Sequence, residues 1–288
     1  MRKIEYYLVS TSHPTDRLWF RNDEDFKVGM NHVATLAASS CVKILCFILM
    51  SNHVHFVMVG QLDEVERFIT EYKRRYSSYY SHKYGTREFL RRNDVDISRI
   101  ELEDEALERT IAYVQMNSVA ANICANASFY PWGTGCAFFN GNPPQGKTAS
   151  EYTGNALMHL LHSRVSLPGH FRILEAGYVD PASYVSVQTV EHLFRTPARM
   201  NYFLNSSSKA KSRLTESALP SFRDQTILSS IPDLCHTLFR KNALSELTEN
   251  QQGELLRQLR YRFSADINQL CRVLGISYEE AVRFLDKC

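Results

Sequence analysis

From residue 4 to residue 12 apolar and polar positions alternate, with Tyr6, Leu8 and Ser10 in phase, and this period of two predicts a strand. Phe26, Met30, Val33 and Leu36 then recur at helical spacing and predict a helix over residues 25–39. Val42 to Met50 is apolar on both faces apart from Lys43, as a central strand is. After the polar pair Ser51-Asn52 a further strand is expected over His53 to Val59, and the two make a hairpin. A long helix follows from about Leu62 to Lys83 and stops at Gly85. Val95 to Glu101 reads as a short strand, and a second long helix is expected through about Cys124. The acidic group Glu101, Glu103, Asp104 and Glu105 stands where the dipole of that helix favours negative charge.

The resulting order, β-α-β-β-α-β-α, predicts an α+β protein with a ferredoxin-like (RRM-like) antiparallel sheet and packed helices. Glycines and prolines crowd residues 125–146, so a first domain is expected over 1–145 and a mainly helical C-terminal region over 146–288. Its last part, 265–286, has the outline of a helix-turn-helix, with Ile267, Leu270, Val273, Ile276, Val282 and Leu285 as the buried set. Seven cysteines without a Cys-x-x-Cys pair read as reduced thiols, most of them in the core. The longest apolar run falls short of the ~20 residues needed to span a bilayer, and the N-terminus leads directly into the first strand. A cytoplasmic protein without membrane spans is therefore expected.

The net charge of +2 says little about partners, whereas its local distribution says more. Between Arg67 and Arg92 basic residues, among them Lys73, Arg74, Arg75, Arg91 and Arg92, are interleaved with Tyr76, Tyr80 and other tyrosines. Cations to follow phosphates and rings to stack on bases are what a single-strand binding surface requires. A solvated helix with aromatic core contacts gives the same pattern.

The string Met50-Ser51-Asn52-His53-Val54-His55 carries the candidate chemistry. On a strand, residues two apart share a face and lie roughly 6.5 Å apart, so His53 and His55 can aim both imidazoles at one ion. Tyr113 and Asn117 fall one helical turn apart on the flank of the second long helix. If that helix packs over the histidines, Asn117 offers a carbonyl oxygen to the metal and Tyr113 a phenol beside it. A phenol is a weak nucleophile at neutral pH, and a nearby cation assists it.

The Ser-Asn-His-Val-His hairpin, taken with Tyr113-Val114-Gln115-Met116-Asn117, resembles the single-tyrosine HUH transposases of the IS200-like group, and more closely the REP-associated tyrosine transposases. Lys73-Arg74-Arg75-Tyr76-Ser77-Ser78-Tyr79-Tyr80 and Phe129-Tyr130-Pro131-Trp132-Gly133-Thr134 extend the resemblance, which covers roughly residues 4–140. It implies His53, His55 and Asn117 as metal ligands, Mg2+ or Mn2+ as the ion and Tyr113 as the nucleophile. It also implies a 5'-phosphotyrosine intermediate and a single-stranded or hairpin DNA substrate. The chain departs from the family where Asn-Pro-Val plus a basic residue is usual and Asn117-Ser118-Val119-Ala120 stands here, and where Met-Pro-Asn-His is replaced by Met50-Ser51-Asn52-His53.

Two other readings compete. One is a binding module that holds single strands without cutting them. The other is a two-tyrosine HUH replication initiator or relaxase, because Tyr76, Tyr80 and Tyr84 stand at i, i+4 spacing and Tyr80 ranks second as nucleophile.

Overall fold

The computed structural model describes residues 4–12, 17–86, 94–207 and 222–286. Four strands, β1 (Glu5–Thr11), β2 (Lys43–Met50), β3 (His53–Gly60) and β4 (Val95–Arg99), form one sheet in the order β2-β3-β1-β4. Every neighbouring pair is antiparallel. Helix α1 (Asp23–Ser39) connects β1 to β2, and α2 (Leu62–Tyr84) connects β3 to β4. The caps of these helices are local chemistry. The Asn22 side chain accepts the Asp25 N–H at the start of α1, and Gly85 takes the left-handed conformation at the end of α2, with φ 69°.

Both long helices cover one face of the sheet. The Phe56 ring lies 5.8 Å from Phe68 and 5.8 Å from Tyr72, both on α2. Because side chains alternate along a strand, Val54, Phe56 and Met58 enter this core together, and His53 and His55 fall on the opposite face.

Helix α3 (Ala106–Gln115) covers that opposite face. The single helix expected through Cys124 is in fact broken at Met116, and a short helix α4 (Asn117–Ala120) follows. The cause lies in Asn117, whose Nδ2 donates to the carbonyls of Tyr113 (3.0 Å) and Val114 (3.1 Å). A short amide side chain competes in this way with the backbone ladder.

The outer edge of β2 is closed by distant chain. Leu49 N–H donates to the Trp132 carbonyl, Thr134 N–H to that of Phe47, and Ser186 N–H to that of Ile44. Covering an edge removes a template for aggregation. Packing also continues past residue 145: β5 (Gly146–Thr148) pairs with β6 (Arg172–Leu174), and α5 (Gly154–Leu161), α6 (Val187–Phe194) and α7 (Pro197–Ser206) follow. Val190 and Phe194 of α6 and Met200 and Phe203 of α7 join the core of the large sheet. The glycine- and proline-rich segment is therefore no boundary in the apolar core.

A second apolar cluster is built by α8 (Asp224–Phe239), α9 (Glu249–Phe263), α10 (Ile267–Leu274) and α11 (Tyr278–Asp286). The expected helix-turn-helix outline is present as α10, a left-handed Gly275 and α11. No helix among the described residues is long and apolar enough to cross a membrane.

Since Phe56 is fully buried between strand and helix, Phe56→Ala should cost about 3–5 kcal/mol in a urea titration. Phe129→Ala removes a ring that is 73% exposed, and a change under about 0.5 kcal/mol is expected. Equal effects would remove Phe56 from the core.

Candidate functional site

The hairpin and β1 hold the two imidazoles. His55 pairs in register with Ser10 on β1, and Ser10 Oγ lies 2.7 Å from His55 Nδ1. His53 Nδ1 lies 2.8 Å from Asn52 Oδ1; the amide oxygen only accepts, so Nδ1 carries the proton. In the neutral ring this leaves the lone pair on Nε2, the arrangement of a metal-ligating histidine oriented by an outer partner. Nε2 of each ring is buried. The two rings approach edge to face, with centroids 4.8 Å apart at 80°.

Tyr113 completes the group from the other side. Its half-buried ring stands 5.9 Å from that of His55 at 76°. Asn117 is buried one turn further, with its amide nitrogen turned back onto the carbonyls of α3. Among the described residues no set of three or more His, Cys, Asp or Glu converges. The donors that converge here are two imidazoles with a phenol beside them, and they hold no carboxylate.

Two supports of this site escaped the sequence reading. Gln115 Nε2 donates to Thr134 Oγ1 at 2.6 Å, and Thr134 Oγ1 donates to the Phe47 carbonyl at 3.2 Å, which ties the end of α3 to β2. The other support comes from the C-terminal helices. The buried Asp224 carboxylate accepts from Ser51 Oγ (2.6 Å), Gln269 Nε2 (2.8 Å) and Arg272 Nε (3.1 Å). Ser51 immediately precedes Asn52 and His53, so helices α8 and α10 fasten the turn that orients the first histidine. Gln225 Nε2 adds a bond to the Phe20 carbonyl, and Arg223 pairs with Asp23.

The basic strip is placed elsewhere, on α2 across the sheet from the histidines. Tyr76 is fully buried and donates to the Trp19 carbonyl, and Tyr80 is buried and donates to the Leu18 carbonyl. Burial raises the pKa of both phenols. The expectation that these rings stack on bases is corrected: their spacing faces the core. Tyr80 is likewise no neighbour of the histidines, which removes its geometric claim to be the nucleophile. Arg74 and Arg75 share Glu71, whose carboxyl the Arg74 guanidinium holds down to about 2 with help from Arg75. Burial lowers the pKa of Lys73, against the pull of Asp94. Arg91 and Arg92 lie outside the described residues.

The helix-turn-helix carries acidic residues where a recognition helix meets DNA, since α11 begins Tyr278-Glu279-Glu280. Gln269 and Arg272 of α10 are engaged internally by Asp224. Both features favour a bracing role for this element over a reading role.

Comparison with protein-family models and with curated proteins finds no match for the chain. Among solved structures it is similar to a REP-associated tyrosine transposase bound to a REP hairpin, at 12% identity and a TM-score of 0.36, over 45% of this chain and 76% of that one. A likeness this remote carries no weight for activity.

Removal of the Asp224 carboxylate strands Arg272 and frees the turn, so Asp224→Ala should cost about 3 kcal/mol, measured by denaturant unfolding. Ser51→Ala loses one hydrogen bond and should cost about 1 kcal/mol. If Asp224→Ala proves neutral, the carboxylate does not hold the turn.

Proposed function

We propose that the chain is a metal-dependent single-stranded DNA endonuclease and strand transferase of the single-tyrosine HUH kind, akin to the REP-associated tyrosine transposases. The observation that carries this reading is the meeting of His53, His55 and Tyr113 at one buried point, with both Nδ1 atoms already engaged. The β-α-β-β-α-β order, with strands arranged β2-β3-β1-β4, supports a ferredoxin-like frame for it.

His53 and His55 would hold Mg2+ or Mn2+ through Nε2, with Asn117 Oδ1 as a third donor. Such an ion, when bound, polarises a phosphodiester and stabilises charge developing on its oxygens. Tyr113 then supplies the nucleophile: its phenolic oxygen bonds to phosphorus, the bond from phosphorus to the 3' oxygen breaks, and that oxygen leaves as a 3'-OH. The strand end is kept as a 5'-phosphotyrosine ester, so the reverse attack by another 3'-OH joins strands without an energy source. A cytoplasmic protein acting on single-stranded or hairpin DNA in transposition or recombination fits this chemistry.

The binding-module reading loses its main support with Tyr76 and Tyr80 in the core. A replication initiator using Tyr80 is disfavoured by the same burial and by the position of α2 across the sheet.

Incubation with a single-stranded hairpin oligonucleotide and Mn2+ should give a covalent protein–DNA adduct that maps to Tyr113. Tyr113→Phe deletes one oxygen from a half-buried ring, so stability should change by less than about 1 kcal/mol while the adduct and strand joining disappear. A Tyr113→Phe protein that still forms the adduct would assign the nucleophile elsewhere. Wild-type protein that forms none with either metal would leave only binding.

A further inference from the structure

On the far side of the sheet from the histidine pair, α1, α2 and the end of α5 border a cavity of about 340 Å3 that is open to solvent. Its walls include His32 from α1, Arg74, Arg75, Ser78 and His82 from α2, and His162 at the end of α5. We propose that this cavity is a second nucleotide site, one that binds a phosphate group away from the cleavage centre.

His32 lines this cavity. Its side chain is 3% exposed, yet Nδ1 makes no hydrogen bond. Buried polar atoms are nearly always satisfied, so this ring, which lines the cavity, has hydrogen-bonding capacity that the protein leaves unused. Burial, with Arg75 and His162 nearby, presses the His32 pKa down to about 3 against the opposing pull of Glu71. The ring is thus neutral; burial, the larger cause, disfavours charge of either sign, and the Arg75 guanidinium is the part of its surroundings that favours an anion.

The arginines supply the charge. One carboxylate, Glu71, is shared between two guanidiniums, taking the Nε and Nη2 donors of Arg74 and the Nε donor of Arg75. Each guanidinium has five N–H donors, so a net positive charge and several donors remain for a planar or tetrahedral oxyanion. Arg75 is steadied further by Nη1 donating to Thr35 Oγ1 at 3.3 Å.

The walls are fixed before any ligand arrives. Asn31 Nδ2 donates to the Leu160 carbonyl at 3.1 Å, which locks α5 to α1. The His162 ring stands 5.7 Å from that of Tyr79. The open depression of about 340 Å3 has room beside a bound phosphate for an attached sugar, which is why a nucleotide is named. The ligand is either a free mononucleotide or a nucleotide of a bound strand; the phosphate chemistry is common to both.

The test uses the full chain carrying Tyr113→Phe, in EDTA, so that neither cleavage nor a metal contributes. Side-chain NMR of the histidines is followed during titration with inorganic phosphate, deoxyadenosine 5'-monophosphate, and a single-stranded oligonucleotide with and without a 5'-phosphate. His32 and His162 signals should move with the mononucleotide or the strand, and movement with only one of them identifies the source. Arg74→Ala alters a side chain that is 68% exposed, so the fold should persist while affinity falls by about tenfold. His82→Ala should weaken binding in the same direction. If no probe moves His32 and His162, or if matched chloride moves them as far, the proposal is overturned. So is it if Arg74→Ala binds as tightly as the parent. Loss of the phosphotyrosine adduct in wild-type protein would leave this result untouched, so the two readings fail separately.

Discussion

Everything at the candidate site depends on the two-residue period of β3. A strand that sends Val54, Phe56 and Met58 into a dry helix-covered core must send His53 and His55 to the other face. The histidines share that face because the alternate apolar residues are fixed on the other, where Phe56 packs against Phe68 and Tyr72. A slip of one residue would exchange the two sets and bury imidazoles among aromatic rings, so register is heavily specified. The site is held in place by the stability of the core behind it.

A strand alone does not make a reaction centre, and the opposite layer is assembled from distant sequence. Helix α3 carries Tyr113, and the Gln115–Thr134–Phe47 relay fixes its end to β2. The hairpin turn is held from outside by Asp224, which belongs to the C-terminal cluster together with Gln269 and Arg272. Ser51 stands in this turn, and its hydroxyl is the group that Asp224 grips. The turn is thus held by a hydrogen bond from another part of the molecule. The C-terminal helices belong to the mechanical support of the turn, and their removal would disturb the histidines as well as any DNA contact of their own.

Local signals in the chain were enough for much of this. Periodicity revealed every strand of the large sheet, because a half-buried strand and an amphipathic helix write different periods. The helix break at Met116 was not visible: Asn117 was seen as a ligand candidate, and its amide also ends the helix by taking the Tyr113 and Val114 carbonyls. The tyrosines of α2 were misassigned for a physical reason. Rings at i, i+4 mark one helical face without saying whether it meets solvent or core, and here Tyr76 and Tyr80 meet core and find backbone carbonyls for their hydroxyls. Asp224 had no signal at all, since it lies 173 residues from Ser51 and stands at the start of an ordinary helix. The glycine- and proline-rich stretch 125–146 looked like a domain boundary because it is irregular, yet it carries Trp132 and Thr134, which close the edge of β2.

The central claim is that β3 presents two imidazoles to one ion. Pulsed EPR of Mn2+ added to protein labelled with 15N-histidine reads it directly, through the coupling of the metal to bonded nitrogens. Couplings from two imidazoles are expected in the wild-type chain and from one in each of His53→Ala and His55→Ala. Bound Mn2+ that shows no nitrogen coupling, or the same coupling after both histidines are replaced, would contradict it.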